Sequence, residues 1–282
     1  MAASQFVAST VPTPDGAVLE LFTASAGEDR AEGGVVVVHG SMVTAELYRE
    51  LAQRLAEALK APVHVYNRRG RGASSPQPDD YSLGIEISDL GAVLAHTGSQ
   101  AVFGHNYGGC IALNAGRTLD ITQLAVYDPI ISFNGNFNAD WLADYESALS
   151  SGDEEKALAV LLRGLQTTGP VAKLPLPILT VLNRIGSRTQ PGKVLTSLLP
   201  TGPREIRAVV AADSKAEPFE QLPLETLLLV GGASPEYFAE AAEALDGVLP
   251  ASDFGVLPRL AHDAPERPAR ALVDRLAEFF AS

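Results

Sequence analysis

Gly104-His105-Asn106-Tyr107-Gly108-Gly109 follows a short apolar run, Ala101 to Gly104, and precedes a helical pattern from Gly108 to Thr118. A strand that turns at once into a helix through glycines has a tight bend whose central side chain stands clear of the backbone. The spacing is that of the nucleophile elbow, G-x-S-x-G, with Asn106 where the nucleophile would sit. The amide of Tyr107 opens the helix there and has no intrahelical partner, so it is a candidate donor to a developing oxyanion. No G-x-x-x-x-G-K-[ST] pattern surrounds these glycines, which excludes a phosphate loop.

Outward from this turn, strand and helix patterns alternate. Phe6 to Val11 and Ala17 to Ala24 read as a hairpin around Pro14-Asp15-Gly16. Gly34 to His39 (GVVVVH) is a β-branched run suited to a strand buried on both faces. A helix is expected from Glu46 to Lys60, with Leu47, Leu51, Leu55 and Leu59 on one face, and Pro62 to Tyr66 is the next strand. A helix from Ser82 to His96, a strand from Leu124 to Tyr127, a strand from Thr226 to Val230 and a helix from Pro235 to Leu245 follow. Phe254 to Leu257 and Glu266 to Phe280 close the chain as strand and amphipathic helix. Such alternation implies a mostly parallel sheet with helices on both faces. Residues 132–222 break the pattern, being helical in character and interrupted by seven prolines from Pro170 to Pro218. They read as a helical lid inserted into a core domain made of residues 1–131 and 223–282.

In an open parallel sheet, ligands bind at the carboxyl ends of the strands. Besides the elbow, two loops there carry polar groups: His39-Gly40-Ser41-Met42 and Leu260-Ala261-His262-Asp263. The Ser41 amide is a second candidate oxyanion donor, and Met42 is placed to line a pocket. His262 is a candidate general base, since an imidazole titrates near neutrality.

Together these features resemble the α/β-hydrolase superfamily over nearly the whole chain. The resemblance is strongest to the actinobacterial-type hydrolases with a Tyr-Asp-Arg-Arg-Gly-Arg-Gly-Asp-Ser loop. Here that loop reads Tyr66-Asn67-Arg68-Arg69-Gly70-Arg71-Gly72-Ala73-Ser74, so two aspartates have become Asn67 and Ala73. The resemblance implies an α/β-hydrolase fold and an acid that orients His262. The usual position after the TLLLVGG strand reads Ala233-Ser234-Pro235, with no carboxylate, whereas Asp128 ends the strand LAVY. Asp128 is the expected acid because it keeps the order nucleophile, acid, base. Asp263, adjacent to the histidine, is the lesser candidate.

Asparagine changes the expected chemistry. Its nitrogen lone pair is delocalised and a histidine cannot activate it, so the acyl-enzyme route is closed at Asn106. Proton abstraction beside a carbonyl, elimination, isomerisation, ring closure and direct water attack remain open, with Asn106, His262 and Asp128 as catalytic residues and Ser41 and Tyr107 as oxyanion donors. Phe133, Phe137, Trp141 and Tyr145 are expected to line a substrate pocket or to pack the lid. The expected substrate is a small apolar carbonyl compound, with natural-product biosynthesis as a suggested setting. The alternatives are a serine ester hydrolase or Asp-type epoxide hydrolase disabled at Asn106, and a non-catalytic ligand-binding pseudo-hydrolase. Met42, where epoxide hydrolases usually carry proline, and Tyr107, where dehalogenases often carry tryptophan, argue against the Asp-type enzymes.

The remaining features are bland. His39 and His105 are expected to be structural, and Arg68, Arg69 and Arg71 to form ion pairs. No histidine has a partner at metal-ligand spacing, and neither a metal nor an organic cofactor is implied. The net charge of −13 disfavours nucleic acid and anionic membrane as partners. The single cysteine, Cys110, excludes an intrachain disulfide and suits a reducing cytoplasm. The opening MAASQFVAST lacks the basic and apolar regions of a leader. A small-molecule substrate and a monomeric or homodimeric state are expected.

Overall fold

Valine-rich strands buried on both faces build the centre of the molecule. In the computed structural model, which describes residues 5–25, 33–222 and 224–282, they belong to one eight-stranded sheet. Residues 1–4 of the opening stretch, and residue 223 at the expected lid boundary, lie outside the described residues. The strands are β1 (Gln5–Pro12), β2 (Val18–Ser25), β3 (Val35–Val38), β4 (Val63–Tyr66), β5 (Ala101–His105), β6 (Gln123–Tyr127), β7 (Glu225–Gly231) and β8 (Ser252–Leu257). Their order across the sheet is β1-β2-β4-β3-β5-β6-β7-β8. The β1–β2 hairpin and the β2–β4 pair are antiparallel, and every later pair is parallel.

Val35 to Val38 are all buried, and each such side chain contributes about 1.5–3 kcal/mol relative to exposure. One face of the sheet carries α1 (Arg49–Leu59) and the closing helix α10 (Arg270–Phe280), packed on Val35, Val37, Val63 and Val65. The other carries α2 (Leu83–Thr97), α3 (Tyr107–Ala115) and α9 (Glu236–Asp246). Between β6 and β7 the chain forms α4 (Leu142–Ser150), α5 (Glu154–Leu165), α6 (Leu176–Gly186), α7 (Gln190–Leu198) and α8 (Gly202–Ala211).

Two helix starts are displaced by three or four residues from expectation. Residues 45–48 form a 3-10 turn ahead of α1, so Leu47 falls out of phase with Leu51 and Leu55 and is 47% exposed. The closing helix starts at Arg270 rather than Glu266, because Pro268 disfavours helical backbone at the residue before it.

The parallel register aligns the polar loops. Val38 pairs with Gly104, Gly104 with Val126, and His105 with Tyr127. Asn106 and Asp128 are therefore the next residues at two adjacent strand ends, on the same edge as His39 and Gly40. Among the described residues no helix is long and apolar enough to cross a membrane.

Candidate active site

Asn106 sits at φ 54° and ψ −118°, at the amino end of α3. This conformation is costly for a residue with a Cβ, on the order of 1–3 kcal/mol, and persists only where its surroundings enforce it. Here the enforcement is visible. The Asn106 amide donates to Tyr127 O at 3.1 Å, and its carbonyl accepts from Gly109, Cys110 and Ile130. A Cβ on Gly108 would lie 1.9 Å from Val38 O, so only glycine lets α3 approach β3 this closely.

The side chain of Asn106 is 4% exposed, and its Oδ1 accepts from the Ser41 amide at 3.1 Å. That bond directs Nδ2, a donor, away from Ser41. Ser41 is aimed by its own peptide group. The Gly40 carbonyl, on the other side of the same peptide, accepts from Arg68 Nη2 at 2.9 Å and lies 2.9 Å from His39 Nδ1. With the carbonyl held, the trans peptide points the Ser41 N–H towards Asn106. Arg68 also donates to His39 O through Nε, and its amide to His39 Nε2.

Arg68 belongs to a buried charged cluster. Its Nη1 lies 2.8 Å from Glu86 Oε1 and 3.0 Å from Glu205 Oε1, all with side chains no more than 1% exposed. Arg71 Nη2 reaches the same Glu205 oxygen at 2.5 Å, and the Arg68 guanidinium lies over the Tyr107 ring at 4.9 Å. Burial alone would raise the Glu205 carboxyl, but Arg68 and Arg71 bring it below the usual carboxylate range. Glu205 comes from α8, so this ion pair ties the inserted helices to the loop that carries Ser41.

Asp128 and His262 meet at the neighbouring strand end. His262 Nδ1 is 3.0 Å from Asp128 Oδ2. Asp128 is fully buried, accepts from the Gly231 amide at 2.9 Å and from Ser234 Oγ at 2.6 Å, and has φ 44°. Three donors satisfy an ionised carboxylate. The Nδ1–H tautomer that Asp128 selects leaves His262 Nε2 with a free lone pair. The imidazole is stacked on Phe238, centroids 4.7 Å apart and 10° between planes, with the His105 ring 4.7 Å away on another side. His105 is buried and held well below its usual pKa by burial and by His262. Its Nδ1 is bonded to the Tyr48 hydroxyl at 2.5 Å, and that hydroxyl accepts from the Gly40 amide. The Asp263 side chain points into solvent and pairs with Arg267.

The five pocket candidates divide. Phe137 lines a cavity of about 620 Å³ together with Ser234, Tyr237, Gln166 and Lys173. Met42 is half-buried, with φ 60°. Phe133 packs edge-on against Phe219, and the Tyr145 hydroxyl donates to Leu199 O. Trp141 covers Gly164 and donates to Asn138 O. Ser234, Phe238, Tyr48 and Glu205 were not singled out as site residues by the sequence reading. Ser234 stands in the loop after β7, where the family resemblance leads one to expect an acid. Glu205 ends a run, residues 157–204, that contains no Asp or Glu.

Glu266 adds a titratable group within electrostatic reach of His262 and Tyr48. Burial raises its carboxyl from 4.5 to about 7. The folded chain therefore holds a proton that the unfolded chain has released between pH 4.5 and 7, and stability falls as pH rises through that window. Glu266→Gln is expected to match the native melting temperature at pH 4 and to exceed it at pH 8, by a stability gain of roughly 1–3 kcal/mol. Equal melting curves at pH 8 would refute this.

The profile of the alpha/beta hydrolase family matches residues 35–275. The chain belongs to that family. A search of curated protein sequences finds no match. Among solved structures, this family member is similar to an alpha/beta hydrolase from Sphaerobacter thermophilus, at 26% identity and TM-score 0.76, covering 96% of this chain and 100% of that one. It is also similar to the 2-hydroxy-6-oxo-6-phenylhexa-2,4-dienoate hydrolase of Rhodococcus sp. strain RHA1, at 16% identity and TM-score 0.70, over 99% and 100%. A third is the naproxen esterase of Bacillus subtilis, at 16% identity and TM-score 0.72, over 98% and 92%. The last two likenesses establish the fold of this alpha/beta hydrolase-family protein and nothing finer.

Proposed function

We propose that this chain is an enzyme with atypical chemistry, in which His262 moves a proton on a small apolar carbonyl compound without an acyl-enzyme intermediate. The observation that carries the reading is the His262–Asp128 pair, 3.0 Å apart, whose acid is satisfied by two further donors. A chain that only bound a ligand would have no need of a base held in one tautomer. His262 is the base and Asp128 its orienter. Asn106 is a polar anchor for substrate or water, offering its Nδ2 donor. The Tyr107 amide, together with the Ser41 amide once substrate displaces Asn106 Oδ1 from it, stabilises negative charge on the substrate oxygen. The inserted helices act as a lid, and the 620 Å³ cavity, of mixed polar and apolar lining, comes beside the acid at Ser234, the hydroxyl partner of Asp128. Proton abstraction with enolate stabilisation, elimination, isomerisation, ring closure and direct water attack all use these parts, and a setting in natural-product biosynthesis fits such substrates.

One observation favours a second reading. The Ser41 N–H is already engaged by Asn106 Oδ1, so the chain satisfies its own oxyanion donor, as a non-catalytic binding protein could. The experiment that separates the readings is Asn106→Ser assayed on nitrophenyl esters, beside the native chain on a panel of non-ester carbonyl compounds. The proposed reading expects native turnover of a non-ester compound and less than about a tenfold gain in ester hydrolysis for the variant. A gain of about a thousandfold, with no native turnover, would mark a hydrolase disabled at one position.

A further inference from the structure

The whole-chain charge averages over two regions of opposite character. Residues 157–204 contain Arg163, Lys173, Arg184, Arg188, Lys193 and Arg204, and no Asp or Glu, in a chain of net charge −13. The same region carries exposed apolar side chains. Of the large hydrophobic residues exposed among the described residues, Val171, Ile178, Val181, Leu182, Ile185 and Val194 fall within it, and the others are scattered on separate elements.

Four of the six lie on α6 at positions 178, 181, 182 and 185, the spacing of a single helical face. The opposite face buries Leu179 at 1% exposure. A helix apolar on both sides is ordinarily covered on both. Here the outer side stands open, with Val181 56% and Ile185 63% exposed. Contiguous apolar surface rimmed by cations marks an interaction site rather than a solvated face.

We propose that this face of α6, with Arg188 and Lys193 beside it, docks on an anionic lipid surface. Charge decides the occupant. A second copy meeting the patch through a two-fold axis would set cations against cations, and the carboxylate that stands at this face, Glu155, is already paired with Arg184. A surface of anionic headgroups over an apolar layer complements both features at once. The side chains protrude and are aliphatic, as suits insertion into a fluid layer that needs no preformed socket, whereas protein hot spots are richer in aromatic anchors. Arg184 keeps a loose pairing with Glu155 at 3.9 Å, so Arg188 and Lys193 are the better probes. The inference does not depend on the chemistry at Asn106.

The test is co-sedimentation of the full chain with phosphatidylcholine vesicles, with and without about three parts in ten phosphatidylglycerol. Binding to the anionic vesicles is expected to be at least about fivefold tighter and to weaken with added salt. Arg188→Gln with Lys193→Gln is expected to weaken it by roughly tenfold or more. Ile178→Ser with Ile185→Ser is expected to abolish it at an unchanged melting temperature, since both side chains are exposed. Equal binding to neutral vesicles, no binding to either, or variants that bind like the native chain would overturn the proposal. So would a concentration-dependent dimer, lost in the Ile178→Ser with Ile185→Ser variant, that forms without any vesicle binding.

Discussion

His262→Ala is expected to lower turnover on the native substrate by about 10³- to 10⁴-fold while leaving ligand affinity within a few-fold of native. In the proposed mechanism the imidazole is the base, held by Asp128 in one tautomer. Burial disfavours the charged form of His105, whose Nδ1 is committed to Tyr48. Asp128→Asn would select the wrong tautomer and is expected to fall nearly as far. The measurement is single-turnover rate beside calorimetric binding of the same compound. Undiminished turnover in His262→Ala would remove the base from the mechanism. Tight binding of a compound that the native chain does not turn over would point to the non-catalytic reading.

Arg68→Met is expected to destabilise the fold by about 3–5 kcal/mol, read as a lowered urea midpoint. Among the described residues the substitution leaves Glu86 with the Tyr81 hydroxyl but no guanidinium, and Glu205 with Arg71 and Gln77, in a cluster where the Arg68, Arg71, Glu86 and Glu205 side chains are no more than 1% exposed. Uncompensated buried carboxylates cost far more than the pair contributes when intact. Arg68→Met combined with Glu86→Gln should therefore recover part of the loss. A shift worth less than about 1 kcal/mol for the single variant would mean that the cluster is relaxed by water. The variant also leaves the Gly40 carbonyl with His39 Nδ1 in place of two partners, so any surviving folded protein should bind carbonyl ligands less well.

The sheet was legible in the sequence because each strand announced itself through β-branched runs such as Val35 to Val38, and because the elbow glycines admit few other geometries. Asp128 was legible through chain order: a carboxylate closing LAVY, and none after TLLLVGG. What was hidden lies in contacts between segments distant along the chain. Nothing local to Pro203-Arg204-Glu205 says that its carboxylate will meet Arg68, more than a hundred residues earlier. Phe238 and Tyr48 look like ordinary amphipathic-helix residues, and only the fold lays one against His262 and the other against His105. Tyr145 and Phe133 show the converse. Aromatic residues after a strand end read equally as pocket wall and as packing, and here both are buried against neighbouring elements. The 3-10 turn before α1 also escaped notice, since a leucine repeat of four suits either a helix or a turn and helix in sequence.

The position of Asp128 at the end of β6, with Ser234 as its hydroxyl partner, relieves the loop after β7 of holding the acid. That loop, Ala233 to Glu236, is then free to be a wall of the 620 Å³ cavity. Under the proposed function, substitutions at Ala233 and Glu236 would change what this cavity accepts while the Asp128–His262 bond stays where it is. Selectivity and reactivity would then be modular in this scaffold, open to separate optimisation by selection or by a designer.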